Sequence, residues 1–124
     1  MNDAATSPRP LTAIERAVIE RLLDVPFPGR DQLRAQLPFA SVDGGCRCGC
    51  ATITLTVDRA SAVAAPVGCT TPVSADIRAE GLDAGIVLLV DGDGFLTCLE
   101  VYSIGDEPVR RWPPIDTIHP RPGL

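Results

Sequence analysis

The chain has 124 residues and a mass of 13.1 kDa, the size of a single domain. With 45% hydrophobic and 22% charged residues it is too apolar for a disordered chain, and its longest apolar run, Ile86–Val90, is far too short to cross a bilayer. A net charge of −5 repels a phosphate backbone and argues against nucleic-acid binding, and with no lysine among the 11 cationic residues Schiff-base and P-loop chemistry are excluded.

Met1 to Pro10 is polar and Pro-punctuated. It is expected to be a disordered lead (residues 1–10) rather than a signal peptide. A helix follows over Ala13 to Asp24. Thr12 and Glu15 form a capping box at its start, and Leu11, Ile14, Val18 and Leu22 make one apolar stripe, with Glu15, Arg16, Glu20 and Arg21 on the wet side. Pro26 and Pro28 stop it. A shorter helix over Gly29 to Gln36 points Leu33 and Leu37 inward, and Pro38 ends it.

The remainder reads as strands. Phe39 to Val42 leads into an Asp-Gly-Gly turn. Ala51 to Asp58 alternates Ile53, Leu55 and Val57 with three threonines, the pattern of a half-buried antiparallel strand. Arg59 to Pro72 is a loop. Val73 to Glu80 alternates again, and Ile86 to Val90 is a continuous apolar strand. Asp91-Gly92-Asp93-Gly94 is a hairpin turn rather than a calcium loop, because strands flank it instead of the helices of an EF-hand. Phe95 to Ser103 completes the hairpin, with Cys98 expected on the second face beside Leu96 and Tyr102. The fold class expected is α+β: two N-terminal helices on a four- to five-stranded, mainly antiparallel sheet. The single domain spans 11–104. Residues 105–124 form a Pro-rich tail that folds back through Trp112 without joining the sheet.

The feature that carries chemistry is Cys46-Arg47-Cys48-Gly49-Cys50. In an extended chain alternate residues share a face, so the three sulfurs would continue the row of Thr52, Thr54 and Thr56. Three soft ligands suit Zn²⁺ or Cu(I). Cys69, in the following loop, or His119, in the tail, would supply a fourth. Two other readings fit the same residues: small reduced thiols at a tight strand entry, and redox or sulfur chemistry, with Arg47 lowering a neighbouring thiol's pKa. An odd total of five cysteines speaks against a disulfide scaffold and for a cytoplasmic setting. His119 is the single histidine, and no partner arrangement for a nucleophilic pair is visible.

An ordered set of blocks covers residues 11–116: Leu11-Thr12-Ala13-Ile14-Glu15-Arg16, Gly29-Arg30-Asp31, the cysteine run, Gly94-Phe95-Leu96, Leu99-Glu100-Val101-Tyr102-Ser103 and Trp112-Pro113. This set resembles a family of small uncharacterised actinobacterial proteins. The resemblance implies a cytoplasmic, single-domain protein and points to no particular activity. Size and acidity then lead to a non-catalytic protein-binding module with a basic protein partner, as in toxin-neutralising immunity proteins. The alternative is a zinc-binding module on Cys46, Cys48, Cys50 and Cys69. A second alternative is a thiol, redox or sulfur-transfer enzyme.

Overall fold

The computed structural model describes residues 8–105 and 107–124. The first helix, α1 (Ala13–Leu22), begins where the sequence predicts. Glu15 N–H donates to Thr12 Oγ1 at 3.2 Å and Thr12 N–H donates back to Glu15 Oε1 at 2.8 Å, a closed capping box. The Glu15 carboxylate also takes two hydrogen bonds from the Arg9 guanidinium, at 2.9 and 2.8 Å. That pairing turns Glu15 inward to 6% exposure, which corrects its expected place on the wet side. The apolar stripe shifts with it: Val18, Ile19 and Leu22 are fully buried, whereas Ile14 is 43% exposed. A second helix, α2 (Arg30–Gln36), runs into a 3-10 turn over Leu37–Phe39.

Seven strands follow one another in a single antiparallel sheet. They are β1 (Arg9–Pro10), β2 (Ala40–Gly45), β3 (Ile53–Val57), β4 (Val73–Ala79), β5 (Leu82–Val90), β6 (Leu96–Ser103) and β7 (Ile118–Pro122). Their spatial order is β1-β2-β3-β6-β5-β4-β7. Two meanders therefore meet at β3 and β6, and β7 extends the second one beyond β4. The class is α+β, as expected, but the expected sheet of four or five strands is too small. The two additional strands come from the ends of the chain. Arg9 and Pro10 pair with Val42 and Ser41, within the segment expected to be disordered; residues 1–7 of that segment lie outside the described residues. The tail does join the sheet, because β7 is an outermost strand. Pro120 and Pro122 stand opposite Ala75 and Val73, and an edge strand needs amide donors on one side only.

The core lies between the helices and one face of the sheet. Ile53, Leu55 and Val57 of β3, Val73, Ala75 and Ile77 of β4, and Ile86 and Leu88 of β5 are buried there. A register shift opposite Leu89 and Val90 places the extra residue Thr97 in β6. This bulge reverses the alternation and puts Leu96 in the core at 2% exposure, not on the outer face with Cys98. The Asp91–Gly94 turn is a structural hairpin. Asp91 Oδ1 accepts from the amides of Asp93 and Phe95, at 2.9 and 3.1 Å. Arg59 pairs with both Asp91 and Asp93 and lies over the Phe95 ring, 4.4 Å from its centroid.

Gln36 joins α2 to this hairpin. Its side chain is fully buried. Its amide donates to the carbonyls of Val63 and Gly94, at 2.9 Å each, and its oxygen accepts from Leu96 N–H at 3.0 Å. Replacing it leaves the buried Leu96 amide without its side-chain acceptor and removes one donor from each of the Val63 and Gly94 carbonyls, of which Gly94 keeps the Ala65 amide. Gln36→Ala is expected to lower unfolding stability by about 3 kcal/mol in a urea titration. The Ser74 hydroxyl is the opposite case, being buried without a hydrogen-bond partner among the described residues. Ser74→Ala is expected to raise stability by about 1 kcal/mol in the same titration.

Candidate metal centre

The three clustered cysteines occupy the connection between β2 and β3. That connection is a turn, not the extended segment expected. Cys46 C=O accepts from Gly49 N–H at 3.4 Å, and Gly49 has a φ of +89°, a conformation glycine adopts without steric cost. The turn is what brings the sulfurs together. Alternate residues of an extended strand lie about 6.4–6.8 Å apart, whereas here one ligand atom from each of Cys46, Cys48 and Cys50 lies within 4.8 Å of the others. The Sγ atoms of Cys46 and Cys48 are 2.7 Å apart and share a hydrogen bond. Cys48 N–H donates to Cys46 Sγ at 3.4 Å, and Cys50 N–H donates to Cys48 Sγ at 3.3 Å. One-residue spacing thus provides the amide support to sulfur that two-residue spacing provides elsewhere.

Two anchors hold the turn, one to the C-terminal segment and one to the sheet. Ala51 N–H donates to Val109 C=O at 2.7 Å. The Thr52 hydroxyl accepts from Val101 N–H at 3.0 Å and donates to Val101 C=O at 3.3 Å. The hydroxyl takes over from the peptide where β3 leaves the β6 ladder.

The remaining predicted ligands lie elsewhere. Cys69 is exposed and adjoins Thr70, whose carbonyl accepts from Val90 N–H. Val90 stands opposite Leu96, at the end of β6 away from Val101, about 17 Å along the strand. His119 pairs with Asp76 in the edge strand β7, four strand steps from β3, or about 19 Å. Among the described residues, Cys46, Cys48 and Cys50 form the one such group of His, Cys, Asp and Glu donors.

The sulfurs differ in acidity. Burial opposes ionisation of Cys50, but hydrogen bonds from Cys48, from the side chain and backbone of Thr52, and from Cys46 outweigh it and bring its pKa down to about 7. Cys48 is pushed up to about 11, chiefly by its hydrogen bonds with Cys46 and then Cys50. Cys98, half-buried on the outer face, is pushed up to about 11 by burial and by the charges of Glu100 and Cys50.

A cleft of about 590 Å³ opens beside the turn, lined by Cys46 and Cys50 together with Arg9, Glu15, Arg110 and Trp112. Trp112 is partly buried against the core. Arg110 carried no signal in the sequence, because nothing local shows that the tail passes over the cysteine turn. Glu15 did carry one, in the capping box. Protein-family models, curated proteins and solved structures give no match to this chain.

In the metal-free protein, alkylation by iodoacetamide followed by peptide mass mapping is expected to modify Cys50 first, with a rate that rises through about pH 7. Cys48 and Cys98 are expected to react slowly until far higher pH, in line with values of about 11. Thiolate fraction sets the rate. Glu15 supplies a second titration. The Arg9 hydrogen bonds hold its carboxyl below the ordinary glutamate value, against the opposing effect of burial. Its stabilisation is therefore complete above the unfolded value and lost as pH falls through the folded one. Urea midpoints of wild type are expected to fall from about pH 4.3 downward, and Glu15→Gln is expected to flatten that limb and to cost about 1–2 kcal/mol at neutral pH.

Proposed function

We propose that the chain is a zinc-binding module whose ligands are the thiolates of Cys46, Cys48 and Cys50, with one coordination position open. The observation that carries this reading is the convergence of three sulfur ligand atoms within 4.8 Å on an accessible turn. Tetrahedral N/S coordination is the preference of Zn²⁺, and a soft all-sulfur set also accepts Cu(I). The two amide-to-sulfur hydrogen bonds orient the sulfurs of Cys46 and Cys48, and metal binding itself displaces the thiol protons. Structural zinc sites close with four protein ligands, whereas sites that exchange or activate a ligand keep one place free. Three ligands on an exposed turn suit the second type, a site that carries metal or presents it.

Among the described residues no helix is long and apolar enough to cross a membrane. A reducing compartment such as the cytoplasm suits the reading, because it keeps exposed thiols available as ligands.

Intact mass under native conditions tests the proposal on protein purified without chelator. The expected result is an excess of one zinc that is lost on acidification and is absent from the Cys46→Ser/Cys48→Ser/Cys50→Ser variant. The triple variant is expected to unfold within about 0.5 kcal/mol of the metal-free wild type, since Cys46 and Cys48 are exposed and surface substitutions change little. A metal-free wild type with every thiol open to alkylation would overturn the reading and return the chain to a protein-binding module facing a basic partner.

A further inference from the structure

The cysteine turn and the cleft beside it share residues. Cys46 and Cys50 line the cleft, and its volume of about 590 Å³ falls in the range of small-molecule sites, about 300–1,000 Å³. Its charged groups are unequal in what they can still do. The Glu15 carboxylate is occupied by Arg9 through two hydrogen bonds and by the Thr12 amide. Arg110 makes no ion pair or side-chain hydrogen bond to any other described residue. Its guanidinium rests against the cysteine turn, since a Cβ on Gly49 would lie 2.7 Å from Arg110 Nη1. The cleft therefore holds two sulfur ligands, an available guanidinium and the indole of Trp112. Arginine recognises carboxylates through paired N–H donors.

We infer that the open coordination position of the metal centre is filled by the thiolate of a small thiol that also bears a carboxylate. The molecule sits in this cleft with its carboxylate on Arg110 and its apolar atoms against Trp112. The inference rests on the metal reading above and adds the class of ligand to it. A fourth sulfur matches the soft character of the other three. On binding, the metal–sulfur bond forms, the metal's bond to solvent oxygen breaks, and the thiol proton leaves to bulk water. No electrons are transferred.

Cobalt(II) in place of zinc makes the sulfur count visible, because thiolate-to-cobalt charge transfer absorbs in the near ultraviolet. Cobalt uptake by full-length wild type is read first, by mass. N-acetylcysteine and 2-mercaptoethanol are then titrated into the loaded protein. The expected result is an absorbance rise of about one third, one thiolate added to three. N-acetylcysteine is expected to produce it at a concentration about tenfold lower than 2-mercaptoethanol, the difference being one charge-assisted contact. Arg110→Gln is expected to take up the same one cobalt but to bind the two thiols alike. Failure to take up cobalt overturns the metal reading and this inference together. Uptake with no spectral response, an equal response to both thiols in wild type, or a preference that survives Arg110→Gln overturns this inference alone. A rise that follows protein concentration before any thiol is added overturns it in favour of a sulfur from a second copy.

Discussion

The hydrogen bonds that tie Thr52 to Val101 decide the position of the cysteines. β3 and β6 share only a short ladder, Ile53 with Leu99 and Thr54 with Cys98, and beyond it the Thr52 hydroxyl serves the Val101 peptide as both acceptor and donor. Ala51 adds its bond to Val109 one residue away. A turn fixed so close to its end loses little further entropy when a ligand binds, since ordering a free residue costs about 1–2 kcal/mol. The three sulfurs are held near a common point by the sheet, and amide donors already face two of them. Preorganisation of that kind is what separates a ligand set from three neighbouring thiols.

The C-terminal segment completes the site because of where its strand pairs. β6 ends against β3 and β5, whereas β7 pairs on the outside of β4. Before reaching β7, residues 109–112 lie against the β2–β3 connection, on the other side of β6 from β7. This path carries Val109 to the Ala51 amide, Arg110 onto Gly49 and Trp112 into the cleft wall. On the opposite side Arg9 and Pro10 pair with β2, and Arg9 neutralises the one buried carboxylate of the cleft, Glu15. The two ends of the chain supply walls to a pocket whose cysteine sulfurs come from its middle.

Local signals were legible and long-range ones were not. The capping box of α1 and the alternation of Ile53, Leu55 and Val57 are short-range features, and both elements stand where these place them. The strand β7 was hidden by Pro120 and Pro122, which break a central strand but not an edge. β1 is two residues long and leaves no periodicity to read. The inserted Thr97 reversed the face assigned to Leu96, and a bulge has no reliable mark in a single sequence. At the site, the spacing singled out Cys46, Cys48 and Cys50 as a cluster, and the structure brings them together through a turn and not through strand alternation. Cys69 and His119 were chosen by nearness in sequence and by chemistry, and strand order separates both from the turn.

X-ray absorption at the zinc edge of the loaded protein, with no thiol added, tests the central claim most directly. Three sulfur scatterers at about 2.3 Å and one lighter atom are the shell expected from Cys46, Cys48 and Cys50 with one open position. A shell of oxygen and nitrogen alone would contradict it.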